Sequence, residues 1–246
     1  MNLIDRFIGY LAPDLAIRRE MLRQHLDFVR SNNVELDRLR ARVTLQNISP
    51  NQEVRVKREQ ILFTARELDR SNSWAHGVFN SIVDNIVGDG ITLVPMIGMR
   101  RGKGKLNRDA NDRVEEEWLE WSEGVDLERK LTMGEVQRWM EREAWVAGEF
   151  LIAFTTVNDG RRIPLALDMI ESERLATIDE PPNFRGVEIV QGVELDAQRQ
   201  VLAYHIWDRH PGEDVALKAR RIPADRVLHF RSQARVGAVR GMSRVY

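Results

Sequence analysis

The sequence has no cysteine. That excludes a disulfide framework, a thiolate zinc site and a cysteine nucleophile, and it fits a reducing compartment. It also lacks an excess of either charge: 37 Lys and Arg stand against 38 Asp and Glu, a formal net charge of -1. A protein that holds a polyanion through bulk charge is therefore not expected, and any contact with nucleic acid is local or transient. No apolar run reaches the roughly 18 residues of a membrane-spanning helix. The opening "MNLIDRFIGYLAP" sets Asp5 and Arg6 inside its apolar stretch, so it lacks the continuous apolar core of a signal peptide. A soluble, unexported chain is expected.

What is present is ordinary globular material. Apolar residues make up 43% and charged residues 30% of the 246 positions, enough for one large domain or two small ones with a real core. The pattern divides into an arm at 1–58, a helical part at 59–149 and a β-rich part at 150–246. In the arm, "REMLRQHLDFVR" repeats Leu22, Leu26 and Val29 at helical spacing until "QNISPNQEV" breaks it. A second helix is expected through Ile61, Leu62, Ala65 and Leu68. A third carries Trp74, Val78, Ile82 and Ile86 on one stripe and ends at Gly88, before a strand "ITLVP". A fourth places Ala110, Val114, Trp118 and Trp121 on one face. In a fifth, Thr132 and Glu135 have the spacing of a capping box, and Val136, Trp139, Met140 and Ala144 form the buried face.

From Phe150 onward the period changes. "FLIAFTTV", "IPLALDMI", "GVEIVQGVEL" and "VLAYHIW" are short runs rich in β-branched and aromatic residues, and a hairpin turn is expected near Asp196 to Gln198. Helices first and strands second make an α+β fold with a mainly antiparallel β part. The final "RVLHFRSQARVGAVRGMSRVY" has no polar tail, so the chain reads as an incomplete subunit.

Chemistry is sparse. Gly88-Asp89-Gly90 has the glycines of a phosphate loop in the wrong order, since such loops follow a strand and open a helix. Here a helix leads in, so its carbonyl end would face the anion, and a glycine C-cap is the expectation. Five histidines, His25, His76, His205, His210 and His229, include no pair at zinc-helix spacing, although His205 and His229 lie in expected strands and could meet. Asp168 and Glu171 after a strand evoke a metal-dependent nuclease. In "EDVALK", however, Ala216 sits between Asp214 and Lys218, where the second acid of that pattern belongs. No Walker loop, G-x-S-x-G or G-x-G-x-x-G occurs, so no catalytic residue, metal or cofactor is expected. The one local candidate for DNA phosphate is the glycine-containing basic loop with Arg100, Arg101, Lys103 and Lys105.

Six stretches follow in order over roughly residues 60 to 246: "LDRSNSWAHGVFNSIVDNIVGDGITLVP", "EEWLEWSEGVD", "EAWVAGEFLIAF", "MIESERL", "GVELDAQRQVLAYHIWDRHPGE" and "IPADRVLHFRSQARVGAVRGMS". Together they resemble the portal proteins of tailed phages, lambda type. Ser73 stands where the family usually has proline, and "RVGAVRGMS" is a drifted form of its arginine-proline-glycine-glutamine turn. Such portals run about as far again, so the resemblance implies an N-terminal half.

It also implies a phage or prophage subunit of a ring, usually of twelve copies, at one capsid vertex, assembled in the host cytoplasm and carried in the virion. Through the ring double-stranded DNA is packaged by the terminase and later ejected. Capsid or scaffold protein and the head–tail connectors would be further partners, and the subunit itself would hydrolyse nothing. Near-zero net charge suits a channel in which DNA slides, because each lysine or arginine on a phosphate adds affinity. A metal-dependent phage nuclease and another head–tail structural protein are the alternatives.

Overall fold

The computed structural model describes residues 48–98, 105–213, 216–232 and 235–245. Residues Met1–Ile48 form one unit and Ser49–Tyr246 a second, larger one. The N-terminal helix expected around Leu22, Leu26 and Val29 lies outside the described residues. The larger unit is α+β, with four helices followed by two antiparallel sheets.

The first helix, α1 (Pro50–Ser71), starts where "QNISP" predicts a break. Ser49 accepts from the Gln52 amide, and Pro50 occupies the first turn, where a missing N–H costs nothing. The boundary drawn at residues 58 and 59 falls within this helix. After α1, Asn72 receives the Trp74 and Ala75 amides to start α2 (Ser73–Val87). Asn107 starts α3 (Arg108–Ser122), and Thr132 with Glu135 makes the reciprocal capping box that starts α4 (Met133–Val146). At the far end of α2, Gly88 has φ 54 and Gly90 φ 90, with the Gly88 amide on the Asp84 carbonyl. This is the expected glycine stop.

Strand β1 (Glu149–Thr156) is central to a three-stranded sheet, flanked by β2 (Leu165–Ile170) and β7 (Val227–Arg231). Because side chains alternate across a strand, its two faces enter two cores. Leu151 and Ala153 pack with Ile170, Leu175, Val193, Leu195, Tyr204 and Ile206. Phe150 and Ile152 pack with Val125, Val136, Ala144 and Leu167, beneath Trp121, Trp139 and Met140. A strand covered on both sides reads as a continuous apolar run, which explains "FLIA", whereas the next residue, Phe154, is exposed.

The second sheet has the order β3 (Glu188–Val190), β4 (Val193–Leu195), β5 (Val201–Trp207), β6 (Ala219–Pro223). The β4–β5 turn falls at Asp196 to Gln200 as expected. The Asp196 carboxylate takes the Gln198 and Gln200 amides at 2.9 and 2.8 Å. Two short 3-10 turns, Ser172–Arg174 and Ala224–Arg226, lead out of β2 and into β7. A third, small core of Ala65, Phe79 and Val146 lies where α1, α2 and α4 meet.

One expectation requires correction. "ITLVP" forms no strand, because among the described residues no strand lies beside it; only Gly98 makes an isolated bridge, to Leu106. The α2 stripe lies on the outer side of its helix. Phe79 and Val83 face inward, while Trp74, Val78 and Ile86 face solvent.

Candidate functional site

Charged side chains that sequence reasoning did not single out form the most organised polar centre. Glu149, the first residue of β1, is fully buried. Its Oε1 accepts from Arg58 (2.7 Å) and twice from Arg240, at Nε (2.8 Å) and a terminal nitrogen (2.6 Å). Its Oε2 accepts the Gly241 amide at 2.6 Å, with His229 Nε2 at 3.4 Å. Arg240 donates further to the carbonyls of Ser172 (2.8 Å) and Gln191 (3.2 Å). A single carboxylate thereby fastens α1, the start of β1, β7 and the 240–241 turn, while Arg240 adds the Ser172 turn and the β3–β4 hairpin.

Burial alone would push the Glu149 carboxyl up, but the two guanidinium charges and His229 hold it well below the usual carboxylate range. Arg58 pays the reverse effect: burial, and then the charge of Arg240, bring it down to about 10. The one sequence signal was Glu149 itself, an acid opening an apolar run. Its partners Arg58 and Arg240 lie 91 residues away on either side, beyond the reach of any local pattern.

A second network lies beside the first. Arg66 grips Glu143 at 2.9 and 3.0 Å, and Glu173 through Nε and at 2.8 Å through a terminal nitrogen. At Glu143 burial wins and the carboxyl is raised. At Glu173 burial pushes the same way, but the guanidinium prevails and the carboxyl is lowered. A third network sets Arg142 on Asp69 (3.0 and 2.6 Å), Asn80 (2.8 Å) and His76 (2.9 Å). All three tie helices to the sheet or to each other.

The residues that evoked a nuclease are not assembled into a metal site. Asp168 pairs with Arg220 at 3.4 Å, and Glu171 stands 4.0 Å from His210. Asp214 lies outside the described residues, and Lys218 is exposed. Among the described residues no group of three or more His, Asp or Glu is close enough to hold a metal ion. His205 and His229 point to different acids: His205 lies 3.2 Å from Glu194, whereas His229 meets Glu149 and, edge-on, Tyr204.

Of the basic loop, Arg100, Arg101 and Lys103 lie outside the described residues, and Lys105 is exposed. The loop's base is closed by the Gly98–Leu106 bridge and by the Asn107 amide on the Ile97 carbonyl at 2.8 Å. Gly88-Asp89-Gly90 sits at the carbonyl end of α2, with Gly90 against Gly134 and Gln137 of α4. The place where a Cβ on Gly90 would go is 3.1 Å from Gln137 Oε1, which accepts the Ile91 amide. Close packing against α4 uses Gly90, and the positive φ of Gly88 ends α2.

An apolar groove of about 770 Å³ runs along α2, lined by Trp74, Val78, Ile82, Ile86 and Trp145. It offers no titratable group, so it can bury apolar surface but perform no acid–base chemistry. No described helix is long and apolar enough to cross a membrane.

No curated protein matches the chain. Among solved structures, a chain in "Neck of native GTA particle computed with C12 symmetry" aligns at 13% identity with a TM-score of 0.41. The alignment covers 73% of this chain, which spans only 38% of that one. The family model described as phage portal protein, lambda family, matches residues 36–246. A match over that much of the sequence, with the α+β order of elements, places this chain in the lambda family of phage portal proteins.

Proposed function

We propose that this chain is the ring-forming subunit of a portal at one capsid vertex, through which double-stranded DNA enters and leaves a phage head. The observation that carries the proposal is the family match over residues 36–246. The charge distribution supports it. Buried acids and bases near the sheets pair with one another, and among the described residues no group of three or more His, Asp or Glu is placed to hold a metal ion. Such a body acts by shape and assembly.

In this reading twelve copies form the ring, and terminase, capsid or scaffold protein and head–tail connectors dock on it. Residues 1–58 form an arm, 59–149 a helical part and 150–246 a β-rich part of each subunit. The loop with Arg100, Arg101, Lys103 and Lys105 touches DNA phosphates in passing, without holding them. Assembly takes place in the host cytoplasm, and the finished ring stays in the virion.

Electron microscopy of the full chain tests the proposal. Rings with a central hole wide enough for duplex DNA are expected. Particles without a hole would point to another head–tail structural protein. Magnesium-dependent DNA cleavage that disappears in Asp168→Ala would replace the portal reading with a nuclease.

A further inference from the structure

We infer that the outward face of α2, together with the extended segment Ile91–Ile97, is a contact surface for a second copy of this chain. The inference rests on the ring reading above and names the part of the subunit that carries the contact. Four observations support it.

The first is the apolar outer side of α2. Its inward side uses Phe79 and Val83, yet Trp74 is 86% exposed, with Val78 and Ile86 each more than half exposed on the same side. Four apolar residues at helical spacing make a groove wall facing water.

The second is the segment that follows. Ile91, Val94 and Met96 are each more than 70% exposed, and Leu93 and Ile97 more than a third. The ends are pinned, by the Ile91 amide on Gln137 Oε1 and the Ile97 amide on Asn111 Oδ1, both at 2.8 Å. Between them, among the described residues, Thr92 to Met96 make no hydrogen bond with the rest of the chain. An extended, apolar, unpaired stretch is a template for strand addition by another chain.

The third is area. An aliphatic side chain offers on the order of 60–120 Å² of apolar surface. An aromatic offers about 150–250 Å². Scaled by exposure, this face presents on the order of 500 Å² of apolar surface. One side of a standard interface buries about 800 Å², somewhat over half of it apolar. The face therefore supplies the apolar share of one full contact, near the upper limit of what a monomer leaves exposed.

The fourth is charge. Ile91–Ile97 contains no charged residue, and the one acid on α2, Asp84, is paired with Arg138. DNA has nothing to bind here. Copies with a net charge of -1 repel one another only weakly, and a head-to-tail contact repeated around a ring needs one such face and one complementary face on each subunit.

The experiment uses the full chain, with Trp74→Glu and Val94→Glu made singly and Phe184→Glu, on an exposed side chain outside this face, as control. Sedimentation velocity and native mass spectrometry read the assembly state, while circular dichroism and the thermal midpoint check the fold. The wild type and the control are expected to assemble, and the two face variants to associate at least 100-fold more weakly with an unchanged midpoint. Amide exchange at Thr92, Leu93, Val94 and Met96 is expected to be slow in the wild-type assembly and fast in the variants. Rings that persist in both variants, or unprotected amides at these positions in the wild-type ring, overturn this surface and leave the ring reading standing. A wild-type chain that stays monomeric overturns both.

Discussion

Arg240 donates two hydrogen bonds to a single carboxylate oxygen of Glu149, at 2.8 and 2.6 Å, and neither residue is more than 1% exposed. Arg58 reaches the same oxygen at 2.7 Å. Three buried charges cost much to desolvate, and the arrangement holds because both carboxylate oxygens of Glu149 accept hydrogen bonds, Oε1 from the two guanidiniums and Oε2 from the Gly241 amide. Its value lies in specifying one mutual placement of α1, β1 and the 240–241 turn.

Replacing Glu149 by Gln leaves two buried guanidiniums facing a neutral group. A loss of about 3–5 kcal/mol is expected, the magnitude for breaking a buried ion pair from one side. The shift in the urea midpoint measures it. A loss under about 1 kcal/mol would show that Arg58 and Arg240 find other partners.

Acid sensitivity follows from the same carboxylate. Glu149 and Glu173 are held below their unfolded value, so their contribution is present above about pH 4.3 and disappears as pH falls through their folded values. Glu143, raised by burial, acts in the opposite sense and gains stability on acidification. Stability is expected to fall steeply below about pH 4.3, with a shallower fall in Glu149→Gln. Identical slopes from wild type and variant in acid urea titrations would contradict this assignment.

Two glycines with positive φ should respond differently to a methyl group. A Cβ on Gly148, φ +75, would lie 1.8 Å from the Met242 carbonyl oxygen, a backbone atom that cannot swing aside. Gly237, φ +89, has nothing within 4 Å of that position. Gly148→Ala is expected to cost more than about 4 kcal/mol, as a severe core clash does. Gly237→Ala pays only the left-handed strain of about 1–2 kcal/mol. Thermal midpoints rank the two, and equal shifts would refute the steric account.

Thr132→Ala removes the hydroxyl that accepts the Glu135 amide at 3.2 Å and frays the start of α4. The expected cost is about 1 kcal/mol. Amide exchange should quicken in the first turn of α4 and leave β1 unaffected; uniform quickening would mean global unfolding.

DNA affinity should depend weakly on the basic loop. Replacing Arg100, Arg101, Lys103 and Lys105 together by alanine is expected to change duplex binding by less than about tenfold from a non-specific level near 10⁻⁴–10⁻⁶ M. Strong, salt-sensitive binding by the wild type that vanishes in the variant would make the loop a true DNA site.

Some of this protein was written in local sequence. The Ser49, Asn72 and Thr132 helix starts, the Gly88 stop and the Asp196 turn each depend on residues within a few positions of one another, so spacing alone announces them. The apolar run of β1 likewise revealed a strand, and the ordered motifs pointed to the family. Periodicity also found the stripe of Trp74, Val78, Ile82 and Ile86, but a stripe has no address. Whether it meets the core or the solvent depends on which face α1 and α4 cover, and they cover Phe79. "ITLVP" has the composition of a strand and finds no strand partner among the described residues. Glu149 gained its meaning when folding brought Arg58 and Arg240 to it from opposite ends of the described chain. Contacts that distant leave no spacing in a single sequence, and only tertiary packing decides them.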